Sequence, residues 1–123
     1  MAAARYIVDD VEAAVAFYTG HLGFEVEMHP GPGFAALRRD DLRLLLNTPQ
    51  GPGGSTQVAL DGRAPAPGGW NRIQLAVDDL DAVIAALREA GVAFRTELAE
   101  GRGGRQILVD DPAGNCVELF QPR

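Results

Sequence analysis

The fold is decided by the stretch Val8-Asp9-Asp10-Val11-Glu12-Ala13-Ala14-Val15-Ala16, whose pattern returns as Val77-Asp78-Asp79-Leu80-Asp81-Ala82-Val83-Ile84-Ala85. In both copies a short β-rich run precedes the Asp pair, and apolar residues at helical spacing follow it. One Asp of each pair is suited to cap the helix that follows. Gly23 and Gly91 are placed to end the two helices. The chain is therefore predicted to contain two copies of one supersecondary unit.

Three further strand-like runs follow each predicted helix, at residues 24–29, 33–39 and 42–47 and then at 92–98, 104–110 and 115–121. Turn signals such as Gly31-Pro32-Gly33 separate them. The order β-α-β-β-β, twice, predicts an α+β fold. We expect module one at about 1–48, module two at about 70–123, and between them a Gly- and Pro-rich linker at about 49–69, which could also serve as a lid.

Composition narrows the range of functions. The 123 residues carry a formal net charge of -6, which argues against a nucleic-acid partner. All eleven basic residues are arginines, so chemistry through a lysine Schiff base is excluded. No apolar run approaches the roughly 18 residues of a membrane span, and no signal-like start is present, so we expect a cytoplasmic protein without a membrane partner.

With the repeat in view, the chain resembles the vicinal oxygen chelate superfamily, which holds glyoxalase I, bleomycin-resistance proteins and extradiol dioxygenases. The resemblance runs over nearly the whole chain. It rests on an ordered set of motifs: Val8-Asp9-Asp10-Val11, Ala16-Phe17-Tyr18, Leu22-Gly23-Phe24, Val77-Asp78-Asp79-Leu80 and Asp111-Pro112-Ala113-Gly114-Asn115-Cys116-Val117-Glu118-Leu119. It implies a cup-shaped mixed sheet with helices on the outside, a small-molecule ligand in the cup, and a homodimer.

Enzymes of this superfamily hold a divalent metal through His or Glu side chains on the first and last strand of each half. Carried over residue by residue, these four positions fall on Ala3, Leu45, Arg72 and Glu118. Only Glu118 keeps a ligand-type side chain, whereas catalytic metal sites generally need about three protein ligands. We therefore predict neither a metal nor another cofactor.

Strand alternation places polar and apolar side chains together on the predicted cup face. Trp70 could stack on an aromatic ligand or anchor a core or subunit interface. Arg105 could clamp a carboxylate or phenolate at the cup mouth, or be a solvated charge. The candidate ligand-binding residues are Arg5, Phe34, Leu45, Asn47, Trp70, Arg72, Gln74, Arg105, Glu118 and Phe120. Cys116 shares this face and is interpreted as a packing residue.

Arg72 and Glu118 allow two interpretations. They could form a static ion pair at the position of the family's metal, or Arg72 could leave Glu118 and grip an anionic ligand through its bidentate fork. Both alternatives remain open at the level of sequence.

We favour a metal-independent binding protein that sequesters or carries a partly aromatic metabolite or antibiotic. The first alternative is a lyase, isomerase or dioxygenase, either with an atypical metal-ligand set or metal-free with Glu118 as general base and Arg72 stabilising an oxyanion. The second alternative is a non-catalytic dimerisation module with a vestigial cup.

Overall fold

The structure is a computed structural model that describes residues 2–51 and 56–123. The chain divides into two compact units, Met1–Gly68 and Gly69–Arg123. Residues 52–55 of the predicted linker lie outside the described residues, and its role as a lid stays a prediction. None of the helices within the described ranges is long and apolar enough to cross a membrane.

The first unit contains one helix and one four-stranded sheet. Its elements are β1 (Ala3–Ile7), α1 (Val11–His21), β2 (Glu25–Gly31), β3 (Phe34–Arg39) and β4 (Leu42–Asn47). The strand order in the sheet is β1-β4-β3-β2, with β1 parallel to β4 and the other pairs antiparallel.

The second unit repeats this topology. Its elements are β5 (Ile73–Ala76), α2 (Leu80–Glu89), β6 (Ala99–Glu100), β7 (Gly104–Asp110) and β8 (Cys116–Pro122). The strand order is β5-β8-β7-β6, again with the first and last strands parallel. The predicted α+β fold of two similar βαβββ units is confirmed.

The helices begin and end where the repeat predicts. The carboxylates of Asp10 and Asp79 accept hydrogen bonds from the backbone N–H three residues further on, at 3.2 Å and 3.1 Å. These bonds satisfy donors that the first helical turn leaves free. Gly23 and Gly91 follow the two helices with φ of 75° and 77°, a conformation that glycine adopts without steric cost.

The predicted strand at 92–98 is largely wrong. The structure has only an isolated bridge at Phe94 and the short strand β6 further on. The reason lies in the pairing of Leu108, whose N–H donates to the Thr96 hydroxyl at 3.0 Å instead of to a backbone carbonyl. A side-chain acceptor thus takes the place of a ladder bond, which interrupts the strand.

One face of each sheet packs against the helix of its own unit. In the first unit, fully buried Tyr18 of α1 contacts Tyr6 of β1 with ring centroids 6.5 Å apart. In the second unit, the Leu80 N–H donates to Gln121 Oε1 at 2.7 Å, which joins α2 to β8. By alternation, each sheet has an opposite, helix-free face. In the first unit this face carries Ala3, Arg5, Ile7, Phe34, Ala36, Arg38, Arg43, Leu45 and Asn47, and in the second unit Gln74, Ala76, Gln106, Leu108, Asp110, Cys116, Glu118 and Phe120.

The turn between β7 and β8 is organised by Asp111, which is 4% exposed. Its Oδ1 accepts hydrogen bonds from the N–H groups of Ala113 and Asn115, both at 2.9 Å, and its Oδ2 accepts from Asn115 Nδ2 at 3.2 Å. This explains why the Asp-Pro-Ala-Gly-Asn motif forms a tight turn before β8. The turn fixes where β8, and therefore Glu118, begins.

We expect Asp111→Ala to lower the free energy of unfolding by about 2–3 kcal/mol, because two backbone N–H groups and the Asn115 side-chain amide lose their buried acceptor. The matched control is Asp61→Ala. Asp61 also accepts from a nearby backbone N–H, that of Arg63 at 3.1 Å, but in an exposed turn. Asp61→Ala should lower the free energy of unfolding by less than about 0.5 kcal/mol. Urea denaturation measures both values, and equal losses would contradict the structural role assigned to Asp111.

Candidate functional site

Four of the predicted ligand contacts lie together on the helix-free face of the first unit. The register sets Arg5 opposite Leu45, and Phe34 opposite Asn47. The Arg5 guanidinium donates from Nη1 to Asn47 Oδ1, and Asn47 is 1% exposed. The bond therefore links two predicted ligand contacts, Arg5 on β1 and Asn47 on β4, across the parallel pair of strands.

The same face carries a charged cluster that the sequence did not single out. Glu27 of β2 binds Arg43 at 2.8 Å and Arg38 at 3.4 Å. Arg38 and Arg43 lie opposite each other on neighbouring strands, an arrangement that is destabilising for like charges without a counterion. Glu27 supplies that counterion.

In the second unit, Glu118 is held through both carboxylate oxygens. Oε1 accepts from Arg72 Nε at 3.0 Å and lies 3.0 Å from Arg72 Nη2, while Oε2 accepts from Gln74 Nε2 at 2.5 Å. The cause is the parallel pairing of β5 with β8, which sets Gln74 opposite Glu118. Arg72 lies two residues before Gln74, so its side chain points to the same face. Of the two alternatives for Arg72, the structure displays the ion pair.

The fold family implies a divalent metal, and these contacts show whether the side chains at its ligand positions can coordinate one. At the family's positions, the first unit offers Ala3 and Leu45, which have no coordinating atom. The second offers Glu118, whose oxygens are already engaged, and Arg72, whose guanidinium cation repels a metal ion. Across residues 2–51 and 56–123, no group of three or more His, Cys, Asp or Glu side chains could hold a metal ion. The residues present do not fit the metal.

A second cluster surrounds Trp70, whose side chain the sequence had proposed as a stacking surface. Trp70 is 65% exposed, and the Arg95 guanidinium lies over its ring at 4.7 Å from the centroid. Arg95 is itself fixed by Asp110 Oδ1 at 2.7 Å and by the carbonyl oxygens of Gly69 at 2.6 Å and Gly114 at 3.0 Å. Trp70 is thus supported on one face by an immobilised cation.

Arg95 and Asp110 were not among the site residues predicted from the sequence. Arg95 falls inside the segment predicted as a strand, and its partners come from the end of the linker and from the turn between β7 and β8. No local pattern indicates that these segments meet. The interruption of strand pairing at residues 95–98, between the Phe94 bridge and β6, leaves the Arg95 side chain beside Trp70.

The two clusters meet at Cys116, which is fully buried. Burial raises the pKa of the Cys116 thiol, with Arg95 and then Arg72 opposing the rise and Asp110 and Glu118 adding to it. The thiol therefore stays protonated at neutral pH and lacks the thiolate character of a nucleophile. The register sets Asp110 opposite Cys116, and Glu118 follows two residues later on the same face, so the acids of the two ion pairs flank this one buried thiol.

Arg105 lies apart from that site, on the opposite face of the sheet. Arg105 shares the parity of Ile107 and Val109, so its side chain is on the face that carries α2, where it binds Asp81 at 2.8 Å and 3.2 Å. The hydrogen bond from Arg105 lowers the pKa of Asp81. A clamp at the ligand is not supported by this placement, which strand parity could have indicated. Phe120 is half-buried on the helix-free face, opposite Ala76.

The family to which these features belong follows from comparison with known proteins. The model of the Glyoxalase/Bleomycin resistance protein/Dioxygenase superfamily matches residues 1–119. The chain therefore belongs to this superfamily, as its motifs predicted. No curated protein sequence matches the chain significantly.

Three solved structures show the similarity at closer range. A member of the same superfamily from Sphaerobacter thermophilus DSM 20745 is 30% identical, with a TM-score of 0.73 over 97% of this chain and 94% of the other. An antibiotic binding protein from Streptomyces sp. CB03234 is 28% identical, with a TM-score of 0.74 over 98% and 93%. A bleomycin-binding protein from bleomycin-producing Streptomyces verticillus, in complex with copper(II)-bleomycin, is 27% identical, with a TM-score of 0.65 over 99% and 95%.

Proposed function

We propose that this protein binds a small, partly aromatic molecule without the help of a metal, and so sequesters or carries a metabolite or an antibiotic. The observation that carries the proposal is the engagement of Glu118 by Arg72 and Gln74. The one metal-ligand position of the family that kept a carboxylate is used to bind neighbouring side chains instead.

Electrostatics supports this assignment. At an effective dielectric constant of 20, the interaction energy of two unit charges 4 Å apart is roughly 4 kcal/mol. A divalent cation at that distance from a guanidinium therefore meets roughly 8 kcal/mol of repulsion. Glu118 offsets only part of this repulsion. Binding a metal would first require Arg72 to leave its partner, which exposes a carboxylate that is 9% accessible.

The kind of ligand is suggested by Trp70 and by two relatives. Trp70 exposes a large aromatic surface beside polar groups, a combination typical of small-molecule sites. The antibiotic-binding and bleomycin-binding relatives share more than a quarter of their residues with this chain. We take them as support for a binding role.

The catalytic alternative with Glu118 as general base is less well supported. A base must reach the proton it removes, whereas both oxygens of Glu118 already accept hydrogen bonds at 3.0 Å and 2.5 Å. Its arrangement suits a fixed anchor for Arg72.

The experiment combines metal analysis with ligand binding. Protein purified without chelator should contain no stoichiometric Zn, Ni, Mn or Fe. Isothermal calorimetry against a panel of aromatic metabolites and antibiotics should give the same affinities with and without EDTA, and Trp70→Ala should weaken binding by about tenfold, the value of one stacking contact. Because Trp70 is the only tryptophan, changes in intrinsic fluorescence report on this site alone. Binding that EDTA removes and a metal restores would overturn the proposal, as would a panel without any ligand.

A further inference from the structure

We propose further that the ligand is an aromatic acid, with its ring stacked on the exposed face of Trp70 and its anionic group bound by Arg72. This inference rests on the proposed function and names the class of molecule that the same site takes. It follows from the orientation of the Arg72–Glu118 and Arg95–Asp110 ion pairs in the second unit.

The aromatic platform is the ring of Trp70, with the Arg95 guanidinium on one of its faces. The Arg95 guanidinium covers one face of the Trp70 ring, yet the residue remains 65% exposed, so most of that exposure belongs to the opposite face and the ring edge. The Trp70 backbone is held as well, because its carbonyl oxygen lies 3.5 Å from Arg72 Nη1. Because Arg95 contacts one ring face and Arg72 the backbone carbonyl, the Trp70 ring loses little conformational entropy when a planar molecule stacks on it.

In the pair of Arg72 and Glu118 the guanidinium side chain is 31% exposed and the carboxylate side chain 9%, so the cation is the more accessible partner. Arginine has five N–H donors, and the contacts to Glu118 and to the Trp70 carbonyl engage three of them. Within residues 2–51 and 56–123 the other two N–H groups have no partner, and two is the number that a bidentate carboxylate uses.

Arg95 and Arg72 have different roles in this site. Arg95 donates from all three of its nitrogens, and its partner Asp110 is the more exposed of that pair, at 27% against 16%. An anion near Asp110 would meet a like charge. Arg95 therefore supports the platform, and Arg72 is the group left to receive the anion.

A matched pair of probes tests the proposal: naphthoate and naphthamide, which share one ring system and differ in charge. By calorimetry, naphthoate should bind wild-type protein at least tenfold more tightly than naphthamide, since only its carboxylate forms charge-assisted hydrogen bonds with a guanidinium. Arg72→Gln should reduce naphthoate affinity to the level of naphthamide and leave naphthamide unchanged. Arg63→Gln, which removes an exposed ion-paired arginine of the first unit, is the control and should change neither affinity.

A second measurement needs no variant, in case Arg72→Gln fails to fold. Raising NaCl from about 0.05 M to 0.5 M should weaken wild-type binding of naphthoate severalfold and leave naphthamide unaffected, because salt screens exposed charges. Equal affinities for the two probes, or an Arg72→Gln protein that keeps the preference, would overturn the aromatic-acid assignment and leave metal-free binding standing. Loss of naphthamide and naphthoate binding on adding EDTA would instead overturn the proposed function itself.

Discussion

Replacing Arg95 by alanine is expected to lower the free energy of unfolding by about 3 kcal/mol, since it removes a partly buried ion pair, two bonds to carbonyl oxygens and a cation–π contact. Asp110 then keeps a carboxylate without its cation, and the segments at Gly69 and Gly114 lose the donor that links them. Guanidinium chloride denaturation measures the loss. The fluorescence anisotropy of Trp70 should fall at the same time, because the ring loses its support.

The chain offers a close control for this variant. Arg88 lies over the Phe94 ring at 4.6 Å, nearly the separation of Arg95 from Trp70, and no ion pair or hydrogen bond of its guanidinium is seen among the described residues. Arg88→Ala removes a cation–π contact alone and should cost less than about 1 kcal/mol. If the two variants are equally stable, the hydrogen bonds of Arg95 do not organise the site, and the platform beneath Trp70 loses its physical basis.

The second large effect concerns Arg72 and Glu118. We expect Arg72→Met to destabilise the protein by about 2–3 kcal/mol, because it leaves a buried carboxylate with one neutral donor, and the partial exposure of Arg72 keeps the value below the 3–5 kcal/mol typical of fully buried pairs. Glu118→Leu should cost less, about 1 kcal/mol, since the freed guanidinium can reach water. Adding both changes should recover part of the loss, with a coupling energy of about 1–2 kcal/mol.

The same double-mutant cycle on Arg63 and Asp61 provides the reference. These side chains are 2.8 Å apart, close to the 3.0 Å between Arg72 and Glu118, but they are 82% and 56% exposed. Exposed pairs contribute about 0.2–1 kcal/mol, so their coupling should be near the lower limit. Equal coupling in the two cycles would show that Arg72 does not compensate a buried charge, and would remove the main argument against a metal at Glu118.

Local sequence patterns were sufficient for the parts of the fold that depend on neighbouring residues. The Asp pairs and the glycines predicted both helices because capping and left-handed turns act over three or four residues. Strand alternation placed Gln74 and Glu118 on one face because alternation has a fixed period of two. The strand prediction at 92–98 failed because the Thr96 hydroxyl accepts the hydrogen bond of the Leu108 N–H. Only the folded chain brings these two groups together.

The sequence by itself therefore determined the two βαβββ units, the membership of the family and the loss of three metal-ligand positions, since each of these is written in residue identity and short-range periodicity. Tertiary structure decided which charges meet: that Glu118 is held by Arg72 and Gln74, that Arg95 supports Trp70, and that Arg105 turns toward α2. The physical reason is distance along the chain. Ion pairs and ring contacts form between segments tens of residues apart, and their partners are chosen by strand pairing and loop path.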